Sequence, residues 1–224
     1  MKDKVKYILE LPIFEAESRL EEDCDIIGLK FTENKTEEAK QLLKLLLPRI
    51  KKPLMIAGTG NDSVDRILLP ELTEILDREC IIAYADENTY KEIIPSVIKG
   101  NHTLVIRTPI DINLAKEMNI LTSDIGLSLN KIIIDTDIGG LGYGLEYGYS
   151  IMEKIKLEGK GGDRYLNMPL ISFAAEETAK TKEAKDKNLA MFLEIASAAA
   201  VKAAGADYIV LNYEQAVKTL RGLV

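Results

Sequence analysis

Cysteine and histidine are scarce in this 224-residue chain: it has two cysteines, Cys24 and Cys80, and a single histidine, His102. The cysteines are isolated, with no C-x-x-C spacing, so neither a structural zinc nor an iron–sulfur cluster can be assembled from this chain alone. Both adjoin predicted strands and read as small buried thiols, and such sparing use suits a reducing compartment. Long apolar runs are also missing, since none approaches the roughly 20 residues that cross a bilayer. A basic excess is missing too: the net charge of −7 argues against general nucleic-acid binding, which needs a positive footprint. Met1-Lys2-Asp3-Lys4 leads directly into a strand-like run, so no signal peptide is expected and the cytoplasm is the expected location.

What is present is a regular alternation. With 46% hydrophobic and 29% charged residues, the chain is long enough for one large domain with a substantial core, expected to span 1–224. Strands are predicted over 5–9, 25–31, 54–57, 80–85, 103–107, 132–135, 169–173 and 208–211. Helical stretches follow them at 14–20, 36–50, 64–76 (with Pro70 near its start or at a kink), 90–99, 112–125, the segment through Leu157, 188–204 and 214–220. Continuous apolar strands, each followed by a helix, are the pattern of parallel strands buried on both faces. Eight such units point to a closed (β/α)8 TIM barrel, with an open doubly wound sheet as the alternative. The charged segment 176–187 reads as a solvated helix or loop.

In such a barrel, chemistry sits at the carboxyl ends of the strands. The predicted rim therefore holds Asn61 after strand three and Asp86 and Asn88 after strand four. Thr108, Asp111 and Asn113 follow strand five, Asp135 ends strand six, Ser172 lies in strand seven and Asn212 follows strand eight. The rim has no histidine or thiol, which disfavours histidine-dependent nucleophilic triads and histidine-ligated catalytic zinc. His102 precedes strand five, at the far end of the barrel, and reads as structural. Asx and amide groups in a concave rim suit a heteroaromatic or amide-bearing ligand. Asp111 could equally cap the fifth helix, and Asp135 could be a satisfied structural carboxylate.

The loop after strand six stands apart. Five of the chain's 15 glycines fall between Gly139 and Gly148, where positive φ or close approach of backbone to a ligand is the usual reason. Tyr143 and Tyr147 add flat amphipathic surfaces. The Rossmann fingerprint is not met, because the third glycine position, counted from Gly140 and Gly142, is Leu145. The alternative is a loop that merely turns a tight corner.

The segments 101–103 and 107–113, the latter Arg-Thr-Pro-Ile-Asp-Ile-Asn, together with Gly-Leu-Gly-Tyr-Gly-Leu-Glu-Tyr at 140–147, resemble the delta subunit of the acetyl-CoA decarbonylase/synthase (CO dehydrogenase/acetyl-CoA synthase) complex. That is the small barrel subunit of the corrinoid iron–sulfur protein of the Wood–Ljungdahl pathway. The resemblance runs from about Pro53 to Pro169. It implies a role in methyl transfer, from a methylated tetrahydropterin or tetrahydrofolate towards acetyl-CoA synthesis or cleavage. The implied partners are a large subunit carrying the corrinoid and the iron–sulfur cluster, in a heterodimer, and the acetyl-CoA synthase complex; no nucleic acid or membrane partner is expected. Carried over by motif, the contacts are Thr108, Asp111 and Asn113 on one loop and Gly140, Gly142, Tyr143 and Gly144 on the other. One departure is Asp135-Thr136-Asp137-Ile138-Gly139, where the family usually reads Asp-Pro-Thr-Thr-Gly.

Two function classes follow. One is a non-catalytic subunit whose rim caps a corrinoid held by the partner. The other is a self-sufficient methyltransferase that holds methyltetrahydropterin or methyltetrahydrofolate and serves a separate corrinoid protein. In that enzyme Asn88, Asp86 or Asp135 would hydrogen-bond the pterin and help protonate its leaving nitrogen.

Overall fold

Eight short apolar runs become the strands of a closed parallel barrel, paired in sequence order with β8 returning to β1. The computed structural model describes residues 5–141 and 144–223. The strands are β1 (Lys6–Pro12), β2 (Ile26–Lys30), β3 (Leu54–Ala57), β4 (Ile81–Ala85), β5 (Thr103–Arg107), β6 (Ile132–Asp135), β7 (Leu170–Ser172) and β8 (Tyr208–Leu211). The helices are α1 (Thr36–Leu46), α2 (Asp62–Thr73), α3 (Tyr90–Lys99), α4 (Ile112–Ile125), α5 (Leu145–Lys160), α6 (Ala174–Ala179), α7 (Lys187–Ala204) and α8 (Glu214–Gly222). A 3-10 turn, Ile13–Ser18, stands in place of a helix after β1. The closed barrel is the architecture expected from the alternation, and it excludes the open sheet.

Small departures have local causes. Helix α1 stops at Leu46 rather than 50, two residues before Pro48, which has no N–H to continue the helical hydrogen bonds beyond Leu47. Pro70 lies in the last turn of α2, not near its start. Rim Asx residues end the strand loops by starting helices. Asn61 Oδ1 accepts the Ser63 amide at 3.0 Å, and Asp111 Oδ1 accepts the amides of Asn113 and Leu114 at 2.7 and 3.2 Å. Each satisfies amides that the first turn of a helix leaves free.

Because side chains alternate along a strand, each strand feeds two cores. One layer, including Leu9, Leu29, Ile56, Leu104 and Ile134, packs under the helices. The other, including Ile8, Met55, Ala83, Val105, Ile133, Ile171 and Val210, fills the barrel interior. Continuing the inward alternation one step toward the carboxyl ends gives Glu10, Lys30, Arg107 and Asp135, so the apolar interior is topped by charge. The β4–β5 register shifts between Ile82 and Ala85. Three steps on β4 there match two on β5, the mark of a bulge, and both Ala83 and Tyr84 pack with the interior group.

The far end of the barrel brings His102 against Cys80. His102 is buried and its Nδ1 accepts the Cys80 amide at 3.2 Å; burial keeps its pKa below the ordinary value. Cys24 and Cys80 are both buried, and burial pushes the Cys80 thiol up to about 12, so neither is a ready nucleophile. No helix of the described residues is long and apolar enough to cross a membrane.

Candidate functional site at the barrel mouth

The mouth is organised by Arg107, the last residue of β5. Its Nε donates to Asp135 Oδ2 at 2.6 Å, and its two terminal nitrogens bond Glu176 at 3.2 and 2.9 Å. The guanidinium also lies on the Tyr84 ring, 3.6 Å from Cζ to centroid, with Phe173 at 5.1 Å. Planar bidentate pairing and stacking together are what arginine, and not lysine, can do.

This group holds its charges against burial. Burial raises the Asp135 pKa to about 6, with Arg107 pulling it back down. For Glu176, burial acts upward but the two hydrogen bonds and charge of Arg107 dominate, and its pKa falls to about 2. Burial also works against the Arg107 charge, yet the two carboxylates outweigh it and its pKa is raised. Asp135 Oδ1 meanwhile accepts the Asp137 amide at 2.9 Å, so the carboxylate is engaged on both oxygens. Both Asp135 oxygens therefore have partners within the protein.

Glu176 and Glu177 correct the expectation of a solvated segment over 176–187. They lie on α6, where Glu176 reaches into the mouth and Glu177 is buried and paired with Lys180 at 2.5 Å. The buried guanidinium of Arg107, 69 residues away in sequence, draws the acid inward, and local charge patterning carries no trace of that partner.

The remaining predicted residues fall into separate groups. Asn61, Asp86 and Asn88 share the β3–β4 side of the rim. Asn88 Nδ2 donates to Asp62 Oδ2 at 2.9 Å, Asn61 Nδ2 donates to Glu33 Oε1 at 3.1 Å, and Asp86 Oδ1 accepts from Thr89 Oγ1 at 2.8 Å. Thr108 is fully buried, its amide bonded to the Asp135 carbonyl at 2.8 Å. Asp111 is the α4 cap, leaving Asn113 exposed beside it. In the glycine loop, Gly139 and Gly144 have φ of +63° and +128°. A Cβ on Gly148 would stand 2.7 Å from the Ile138 Cα, so that glycine lets α5 approach its own loop. Gly140 is exposed and Tyr147 is 54% exposed; Gly142 and Tyr143 lie outside the described residues.

Sequence reasoning passed over Tyr84, Phe173, Glu176 and Glu10. A signal existed for one of them: a glutamate inside the otherwise apolar run of β1, Lys-Tyr-Ile-Leu-Glu-Leu-Pro, has to be paired or functional.

The family model for the CO dehydrogenase/acetyl-CoA synthase delta subunit matches residues 3–218. The chain belongs to that family. Among curated delta subunits, that of Methanocaldococcus jannaschii is 32% identical over 145 residues, covering 64% of this chain and 36% of that protein. Delta subunit 1 of Methanosarcina thermophila is 33% identical over 139 residues, 61% of this chain and 32% of that protein. The chain thus spans about a third of the length of the curated delta subunits it matches. Among solved structures, dihydropteroate synthase of Xanthomonas albilineans with 4-aminobenzoic acid superposes with a TM-score of 0.71 at 12% identity, covering 100% of this chain and 93% of that one. The Yersinia pestis enzyme in a sulfonamide complex gives 0.71 at 10%. At such identities the delta-subunit chain and these synthases share a barrel fold.

Proposed function

We propose that this delta-family chain is a non-catalytic subunit of a methyl-transfer complex, and that its glycine-loop rim docks on a corrinoid-bearing partner in the cytoplasm. One observation carries the reading: the mouth of the barrel is filled from within. Arg107, stacked on Tyr84 and bonded to Asp135 and Glu176, lies where a flat ligand entering the mouth would need stacking surface and free hydrogen-bonding groups. Asn88, Asp86 and Asp135, the groups a pterin would need, already have partners in the protein. Asp135 is engaged on both oxygens, so it has no free lone pair turned toward a pterin, whereas Asp86 and Asn88 each spend one side-chain atom on an internal bond.

The rim suits a large surface better. Gly140 presents exposed backbone without a side chain, and Tyr147 adds an exposed aromatic on the first turn of α5. A corrinoid carried by another chain needs shape, amides and aromatic contact from such a cap. The curated relatives are named as subunits of the acetyl-CoA decarbonylase/synthase complex, which agrees with a docking role.

The test is calorimetric titration of this chain with the large corrinoid iron–sulfur subunit, beside an assay of methyl transfer from methyltetrahydropterin and methyltetrahydrofolate to free cob(I)alamin. Saturable binding without transfer by the isolated chain is expected. Transfer by the isolated chain, without need of the large subunit, would replace the docking reading with the self-sufficient enzyme.

A further inference from the structure

On the β1–β8 side, away from the Arg107–Glu176 pair, a cleft of about 710 Å3 opens between the 3-10 turn after β1, the start of α7 and the β8–α8 loop. Glu10 forms part of its lining. That side chain is only 8% exposed, and its Oε1 has no hydrogen-bond partner among the described residues. Buried carboxylates are otherwise paired or hydrogen-bonded, so an orphaned oxygen beside a cleft marks a place for a donor from outside.

The acids around the cleft are not equivalent. Glu22 is held by Arg19 at 2.7 Å, and Glu214 by the Asp23 amide and Lys218, both at 2.8 Å. Glu10 and Glu15 have no ion pair among the described residues. No group of three or more metal-ligating side chains occurs among the described residues, and two carboxylates are too few for a hard divalent cation that wants six to eight oxygens. Pro12, Met191 and Tyr213 line the same cleft and give it apolar wall. The wall at Tyr213 is fixed from behind, because buried Glu194 accepts the amides of Asn212 and Tyr213 at 3.0 and 3.3 Å.

We propose that this cleft binds a small organic dication with N–H donors at both ends of an alkyl chain, a guanidino-amine or diamine, one end on Glu10 and the other on Glu15. The buried acid takes a donor it otherwise lacks, the exposed acid takes the second charge, and the methylenes lie on the apolar wall. Burial pushes the Glu10 pKa above the ordinary carboxylate value; of the charges on other elements, Lys30 on β2 and Arg107 on β5 act against that rise, and Glu176 on α6 adds to it. Lys187 at the start of α7 borders the cleft and repels a cation from that edge, while the other bordering cation, Arg19, is paired with Glu22.

The probe is agmatine, titrated into the full chain by calorimetry and by melting curves, with tetramethylammonium at equal ionic strength as the control that has charge but no N–H. Saturable agmatine binding with a raised Tm is expected, with no matching effect of tetramethylammonium. Glu10→Gln and Glu15→Gln should each weaken agmatine by about tenfold or more. Glu10→Gln keeps the side-chain volume, and its own Tm should be unchanged or higher, since a buried charge is removed. If Glu10→Gln does not fold, Glu15→Gln on the exposed turn decides alone. Equal affinity in wild type and variants, equal effects of agmatine and tetramethylammonium, or no binding at millimolar agmatine would each overturn the proposal.

Discussion

Arg107 lies flat on Tyr84, with its Cζ 3.6 Å from the ring centroid, and this stack turns the guanidinium so that one edge meets Asp135 and the other meets Glu176. The bulge in β4 is what brings Tyr84 round to the interior beside Ala83. A strand irregularity thus sets the orientation of an ion pair on the neighbouring strand. Regular alternation alone would have turned Tyr84 toward the helix layer.

Removing Arg107 should cost more than the pairing is worth. Arg107→Ala leaves the Asp135 carboxylate, whose side chain is 1% exposed, buried without its cation, a situation that costs about 3–5 kcal/mol. Arg107→Lys keeps a charge near Asp135 but loses the fork to Glu176 and the ring contact, so it should fall between the two. Urea unfolding with an unchanged m-value is the measurement. A cost below about 1 kcal/mol for the alanine variant would mean that the mouth is not held by this pair.

The same carboxylates give stability a two-sided pH dependence. Glu176, held to about 2 in the folded protein, binds fewer protons folded than unfolded, so its contribution is present above its ordinary pKa of 4.5 and is lost as pH falls toward 2. Glu194 works in the opposite sense. Burial raises its pKa from 4.5 to about 8, so the folded state holds the extra proton, and stability falls as pH rises through that window by up to about 1.4 kcal/mol per pH unit. Asp135, at about 6, adds to that loss between its ordinary value of 3.8 and 6. Melting curves from pH 4 to 9 should show the decline on the neutral side, and Glu194→Gln should flatten it. A Glu194→Gln profile parallel to wild type would show that Glu194 stays ionised.

Gly148 is expected to be the intolerant glycine of the loop region. It lies within α5 and has no left-handed backbone to protect, but a Cβ there would meet the Ile138 Cα at 2.7 Å. Backbone cannot swing aside as a flexible side chain can, so Gly148→Ala should cost about 1–3 kcal/mol despite its better helix propensity. A neutral or stabilising change in Tm would show that loop and helix can separate freely.

The barrel was legible because each strand is a continuous apolar run with its own helix. The boundaries of β3, β5, β6, β8, α3 and α4 were read to the residue, since sharp composition changes or caps such as Asp111 flank them. The site was legible only where it is local. Asp135 and the glycine loop could be placed at the mouth from their position after an apolar strand, and Asp111 could be read as a cap from its spacing to Asn113 and Leu114. The Arg107–Glu176 pair spans 69 residues, and the bulge that aims Tyr84 depends on pairing with a neighbouring strand. Both belong to tertiary geometry, which periodicity does not encode. The glycines were read as positions of positive φ or of close approach to a ligand, with a tight corner as the alternative; Gly139 and Gly144 have left-handed backbone and Gly148 is required by close packing.

Docking through the loop is best tested at Tyr147, because the competing internal explanations end there. Its side chain is 54% exposed on the first turn of α5, so truncation removes little packing from the barrel and stability should stay within about 0.5 kcal/mol. An aromatic anchor near the centre of an interface typically contributes 2 kcal/mol or more when truncated, whereas a rim contact contributes little. Tyr147→Ala should therefore weaken binding to the large corrinoid iron–sulfur subunit by more than tenfold, or about 1.4 kcal/mol, with an unchanged melting curve. Leu157→Ala supplies the control, since that side chain is also exposed, at 69%, but lies near the far end of the same helix. Loss of affinity in both variants would point to the length of α5, and not the loop, as the docking surface. Unchanged affinity in Tyr147→Ala alone would return the glycine loop to the role its backbone already explains, a tight corner between β6 and α5.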